Sequence, residues 1–444
     1  MAGWIGRIAG SLVAGALALS AQVAMAQGLV RDAEIERTLR AMSNPIFRAA
    51  GLSAGGVDIH IVNSRALNAF VAGGRAMFLN TGLLMTLETP EELIGVIAHE
   101  AGHIAGGHQA RRAIALRNAR GPALLGLLAG IAIGAAGGGP AGAAIAAGSQ
   151  SAVNRTLLSY NRGEEASADQ AALRYMARAG VDPMGLLKVM QRFRGQEVFT
   201  IGNTDPYVLT HPLSTERMQL IERHVAEASA KAYPSDPQRD YWHARMRAKL
   251  DGFLENPRRV LSRLEGLEED ELTLYRKAVA LHRLPAPSEA VAAADRLIAL
   301  RPQDPFYLEL KGQILHESGR ASEAVPLYRA AVAAAPSEPL LKAGLGRTLL
   351  ALNDPDADRE ALAVLQEAQS ADRGDASALR DLALAFARAG DTGMATLATA
   401  ERFALVGRSR DAVLHAKRAS KILPQGSPAW LRAQDILVLD RSED

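Results

Sequence analysis

The chain has 444 residues, long enough for two or three domains, and its net charge of +2 excludes a nucleic-acid binder that works through a basic surface. A hydrophobic content of 48% is that of a globular protein with a substantial core. Cysteine is absent, which excludes disulfides, thiol catalysis, cysteine metal ligands and a lipidated cysteine, so any metal must be held by histidines and carboxylates.

In chain order, residues 1–26 read as an export signal: Arg7, then the apolar stretch Ile8–Ser20, then the small-x-small site Ala24-Met25-Ala26. The stretch is short against the roughly 20 residues of a membrane span. The expectation is a mature chain beginning at Gln27 in the periplasm, the alternative being an uncleaved anchor. Residues 31–50 form an amphipathic helical pattern. "VDIHIV" (57–62) alternates as a strand, and "NAFV" (68–71) and "AMFL" (76–79) around Gly73-Gly74 read as a hairpin beside it. A helix then opens at Thr89 (N-cap), Pro90 (first turn) and Glu92 (capping box).

Residues 121–148 are uncharged and glycine-rich. Only about 14 apolar residues precede the Gly137–Pro140 break, too few to span a bilayer. Three readings stay open: a flap over the site, a hairpin touching a membrane surface, or a buried core hairpin. A further helix starts near residue 164 and ends at Gly180. From about residue 236 to 444 similar segments return at 288–302, 322–336 and 410–424, each with an Ala-Val pair ahead of a proline. The first two lie 34 residues apart, and Gly312 and Gly346 keep that period. The period resembles tetratricopeptide repeats, helix pairs that bury their apolar faces by stacking into a solenoid; the alternative is an ordinary helical bundle. The insertion at 353–360 blurs the register. The expected fold is therefore α+β: a mainly helical first domain with a small sheet (27–230), then an all-α repeat domain (236–444).

The chemistry sits in His99-Glu100-Ala101-Gly102-His103, an HExxH motif. On a helix, positions i and i+4 share a face, so His99 and His103 can present imidazoles to one ion, and Glu100 beside them can act as general base on a water. No Lys or Arg lies within a turn of Glu100, so a buried carboxylate there calls for a metal. A third ligand is needed. His108 is one candidate, but on a continuing helix it lies about 140° around from His103 and faces away, as a surface or supporting residue. The better candidate is in "NRGEEASADQAALRYM" (161–176). There Glu165, Ala168, Asp169, Ala172 and Met176 make an inward stripe, and Glu164, Ser167, Ala171, Arg174 and Arg178 a solvated one. Glu165 would be the third ligand, and Asp169 would accept from the outer nitrogen of a ligating histidine.

HEAGH, Glu165-x-x-Ala168-Asp169, "THPLSTERM" (210–218) and "NAFVAGGRAMFLNTGLL" (68–84) together resemble the gluzincin metallopeptidases related to HtpX and the CAAX prenyl endopeptidase. Export and a repeat array narrow the resemblance to periplasmic members of that group. The resemblance implies one zinc ion on His99, His103 and Glu165, with Glu100 as general base and Asp169 as supporting acid. It places His211 opposite the metal, either stabilising the oxyanion or occupying the open metal position; otherwise it is a turn histidine before Pro212. Arg217 matches a downstream arginine without a derivable role. The implied partners are unfolded or misassembled outer-membrane proteins and the barrel assembly machinery, reached through the repeats. Residues 68–79 would be an edge-strand rail for extended substrate. Two rivals remain: a periplasmic chaperone or scaffold with a structural metal, and a secreted metzincin-like protease with His108 as ligand.

Overall fold

The computed structural model describes residues 28–53, 55–111, 114, 162–194, 211, 213–228 and 232–438. The expected export signal and the apolar run at 121–148 lie outside the described residues. The chain forms two compact units. One contains Thr38–Ala244 and the strand preceding Arg31; the other contains the chain from Arg245 together with Arg31–Arg37.

In the first unit, β1 (Leu29–Val30) precedes helix α1 (Ala33–Ala49), whose residues from Thr38 belong here. Strands β2 (Asp58–Val62), β3 (Ala69–Ala72) and β4 (Ala76–Asn80) complete a four-stranded sheet in the order β1-β2-β4-β3. β3 and β4 are the expected antiparallel hairpin, with Phe70 opposite Phe78, and β4 runs parallel to β2 with Phe78 opposite His60. Gly73 and Gly74 turn it at φ +59° and +80°, left-handed values that glycine adopts freely, within a three-residue loop closed by the Ala72–Ala76 pair. The rings of Phe70, Phe78 and His60 stack along one row of the sheet, at 4.9 and 5.0 Å between centroids. β3 is an edge.

After α2 (Thr81–Thr86) comes α3 (Pro90–Ala105). The Thr89 hydroxyl accepts from Glu92 N–H at 3.3 Å, while the Glu92 carboxylate accepts from Glu88 N–H at 3.0 Å, one residue before the reciprocal partner a capping box predicts. α3 is buried on every side from Leu93 to His103, as its unbroken apolar run requires. Two glycines let its neighbours come close. A Cβ on Gly102 would stand 2.9 Å from the Ala168 carbonyl oxygen of α4 (residues 162–178). One on Gly95 would stand 2.9 Å from the Leu186 backbone of α5 (Met184–Phe193). The inward stripe of α4 is buried as read, but the opposite stripe is not uniformly solvated. Glu164 and Ala171 are also buried, because the close approach at Gly102 draws α4 deeper, with Ala171 itself against that glycine. The unit's α6 (Thr215–Ala228) buries Arg217, Met218, Ile221 and Val225.

The second unit is wholly helical among its described residues. α7 (Pro237–Leu254) enters it at Arg245, followed by α8 (Pro257–Leu264), α9 (Glu271–His282), α10 (Pro287–Leu300), α11 (Pro305–Glu317) and α12 (Ala321–Ala334). Then come α13 (Pro339–Leu350), α14 (Pro355–Ala371), α15 (Ala376–Arg388), α16 (Thr392–Leu405), α17 (Ser409–Ile422) and α18 (Pro428–Leu437). The 34-residue glycines explain the stacking: a Cβ on Gly312 would meet the Tyr328 ring at 3.0 Å, and one on Gly346 would meet Leu365 at 2.5 Å. The insertion falls in α14, which has 17 residues against 14 in α12 and is reached through Asn353 at φ +53°. The repeated segments at 288–302, 322–336 and 410–424 open α10, α12 and α17. α12 and α17 are entered through the same left-handed Gly-Arg turn, with Gly319 at φ +76° and Gly407 at φ +72°.

Candidate metal centre

α3 and α4 meet through Gly102, and that contact sets the site. His99 and His103 stand one turn apart on α3, with their Nε2 atoms 3.1 Å apart. From α4, Glu165 brings Oε2 to 3.3 Å from His99 Nε2 and Oε1 to 3.4 Å from His103 Nε2. His211 adds Nδ1 at 3.2 Å from His99 Nε2 and 3.1 Å from Glu165 Oε2. One ligand atom from each of these four buried residues lies within 4.8 Å of all the others. Four donors at metal–nitrogen distances of 2.0–2.1 Å in a tetrahedron are about 3.3 Å apart, close to the 3.1–3.4 Å between the nearest of these atoms. Glu165 Oε1 is buried without a hydrogen-bond donor, so the donor set fits a divalent cation chemically as well as geometrically.

A supporting layer surrounds the cluster. Asp169, fully buried one turn after Glu165, has Oδ1 at 2.9 Å from His99 Nδ1, which leaves His99 Nε2 to face inward. Arg217 of α6 donates to both Asp169 oxygens, at 2.6 and 2.9 Å, and its Nη1 lies 3.2 Å from Glu165 Oε2. The cation missing from the sequence around Glu100 therefore arrives from more than a hundred residues downstream, and it neutralises the acids of α4. Motif arithmetic within a turn of Glu100 does not reveal it; a buried arginine on the apolar stripe Met218–Ile221–Val225 is the signal that does.

The electrostatics follow from burial and these contacts. Burial opposes ionisation of Glu165, but His211 and His99 beside it hold its carboxyl well below the usual range. Asp169 is likewise lowered, against burial, by His99 and Arg217. His103 is pushed well below the ordinary imidazole value by burial and by the neighbouring His99, so it is neutral and able to ligate at neutral pH. His99, despite burial, is raised to about 10 by Asp169 and Glu165, so before metal binds it carries the proton that a cation must displace.

Glu100 is buried, with Oε1 3.3 Å from His211 Nε2. His108 is not a surface residue: α3 stops at Ala105, Gly107 turns the chain at φ +61°, and the imidazole folds back so that Nδ1 lies 2.8 Å from His103 Nδ1. It lies outside the four-residue cluster. The next residue, Gln109, donates its side-chain amide to the Val71 carbonyl and accepts from Gly74 N–H at 3.0 Å, covering one end of the outer edge of β3.

The model of peptidase family M48 matches residues 30–225. The chain is 25% identical to the β-barrel assembly-enhancing protease of Yersinia pestis over 90% of its own length and 82% of that protein. It is 27% identical to the mitochondrial metalloendopeptidase OMA1 of Schizosaccharomyces pombe over 44% of this chain and 55% of that one. Among solved structures it is similar to a thermophilic TPR protein of Thermus thermophilus, with 21% identity, a TM-score of 0.26, and coverage of 38% of this chain and all of that one.

Proposed function

From the premise that residues 30–225 are a metallopeptidase domain of family M48, we propose that the chain is a periplasmic zinc endopeptidase acting on misfolded or stalled outer-membrane proteins. The observation that carries the reading is the buried His99–His103–Glu165–His211 cluster with Glu100 beside it. His99, His103 and Glu165 hold the ion, which when bound supplies Lewis acidity to water and to the peptide carbonyl. Glu100 takes the proton of the attacking water and passes it to the departing amine. Asp169 keeps His99 in the ligating tautomer, and Arg217 pairs with Asp169 and Glu165.

The position of His211 favours a ligand role over the oxyanion role, because Nδ1 lies among the ligand atoms, 3.2 Å from His99 Nε2 and 3.1 Å from Glu165 Oε2, while Nε2 is turned to Glu100. In that arrangement His211 occupies the place water needs, and the resting enzyme is closed until it withdraws. Extended substrate pairs with the outer edge of β3 as far as Gln109 allows. The envelope role and the barrel-protein substrates are supported by alignment over most of the length of a protein named for β-barrel assembly, repeats included. The repeats would recruit substrate or dock on the assembly machinery.

The test pairs metal content with digestion of casein and of an unfolded porin, with and without chelator. Glu100→Gln is expected to retain metal and lose activity by roughly 10²–10⁴-fold. Full activity in that variant would instead support the scaffold reading, in which the metal is structural. His211→Ala is expected to raise proteolysis if the resting site is closed.

A further inference from the structure

We propose that His108 is a positioning residue for the metal: its Nδ1 accepts a hydrogen bond from His103 Nδ1–H and so holds His103 as the tautomer that ligates through Nε2. The inference rests on the reading that His103 is a ligand.

The geometry leaves little choice of donor. His103 Nε2 is the atom turned toward His99 Nε2 and Glu165 Oε1, so a ligating His103 must keep that nitrogen free of hydrogen. Its proton then sits on Nδ1, whose neighbour at 2.8 Å is His108 Nδ1. Two ring nitrogens at that distance form a bond only if one of them is bare, so His108 accepts and carries its own hydrogen on Nε2. His99 has the matching arrangement with Asp169. Each α3 histidine thus has its outer nitrogen fixed, one by a carboxylate and the other by a neutral imidazole.

The backbone is shaped for this contact. A Cβ at Gly106 would stand 2.4 Å from His108 Nε2 and 2.8 Å from Cδ2, so the ring lies in space that only glycine leaves open. Gly107, at φ +61°, takes the left-handed conformation that ends the helix and returns residue 108 toward it. The imidazole is 2% exposed and its ring meets that of His103 edge to face at 4.8 Å between centroids. A polar ring buried this deeply against a ligand's outer nitrogen is where outer partners of metal-bound histidines are found.

The experiment measures zinc affinity of the full chain at fixed pH by competition with a chromophoric chelator, alongside the melting temperature of the metal-free protein. His108→Ala is expected to weaken zinc binding roughly 10–100-fold. His108→Asn places an amide oxygen close to where Nδ1 was and is expected to recover most of that loss, which a purely packing role would not do. The proposal is overturned if His108→Ala binds zinc as tightly as the unaltered chain, or if His108→Asn binds no better than His108→Ala. An unaltered chain that binds no zinc overturns the metallopeptidase reading itself, a result distinct from either of these.

Discussion

Arg217 shows how one side chain can hold a site together without touching the reaction. Its guanidinium meets both oxygens of Asp169 and one of Glu165, all within a buried environment. Removing one partner of such a cluster leaves buried charge uncompensated, at a cost of about 3–5 kcal/mol. Arg217→Met is therefore expected to lower the melting temperature of the metal-free protein as well as its zinc affinity. Arg217→Lys should recover part of the stability but not the two-pronged contact. Asp169→Asn acts more narrowly: an amide can present nitrogen to His99 Nδ1 and favour the wrong tautomer, so zinc affinity should fall roughly 10–100-fold, read by the same chelator competition.

At the scale of elements, the decisive feature is that α3 is approached on two sides at its glycines. Gly102 admits the backbone of α4, and with it Glu165 and Asp169; Gly95 admits α5. A methyl group at Gly95 would press on backbone atoms of Leu186, which cannot rotate away. Gly95→Ala is expected to destabilise the peptidase unit by about 1–3 kcal/mol. Gly102→Ala should do more: by pushing α4 outward it should separate Glu165 from the histidines and lose zinc as well as stability. Chemical denaturation and metal content of the two variants distinguish these effects. The outer edge of β3 belongs to the same scale. Gln109 competes there for the backbone groups that a substrate strand would use, so Gln109→Ala is expected to lower KM for long unfolded substrates more than for short peptides.

At the scale of the whole molecule, the second unit depends on residues from the start of the chain. Arg245, fully buried, bonds Glu34 at 2.6 Å and Asp304 at 2.5 and 2.8 Å, and its guanidinium lies 3.9 Å from the Tyr307 ring centroid. Tyr275 donates to Glu34, and Lys249 meets Asp32 at 2.6 Å. Glu34→Ala is expected to lower the stability of the repeat unit by about 3–5 kcal/mol although it lies more than two hundred residues upstream. Nearby Glu309 is pushed up to about 7 by burial, against the pull of Lys249 at 3.9 Å. A carboxyl whose folded value exceeds its unfolded value of 4.5 contributes stability below that pH and loses the contribution as pH rises through about 7. The unit should therefore weaken between about pH 4.5 and 7, and Glu309→Gln should be stabilising at pH 8 but nearly neutral at pH 4, as thermal melts of the full chain would report.

Local pattern alone was enough for the hairpin, the capped start of α3, the inward stripe of α4 and the helical repeat, because each rests on periodicity and turn chemistry within a few residues. It was enough also to single out His99, Glu100, His103, Glu165 and Asp169 as the residues to look for, while His211 entered only through the family resemblance. What local pattern could not decide is whatever depends on where distant segments meet. A continuous helix would turn His108 outward; a left-handed glycine ends the helix and turns it inward instead. No spacing rule brings Arg217 to Asp169, buries Glu164, or assigns Arg31–Arg37 to the second unit. Those outcomes are set by close approach at glycines and by buried charges seeking partners, interactions between groups far apart in the chain that only the folded arrangement brings within reach.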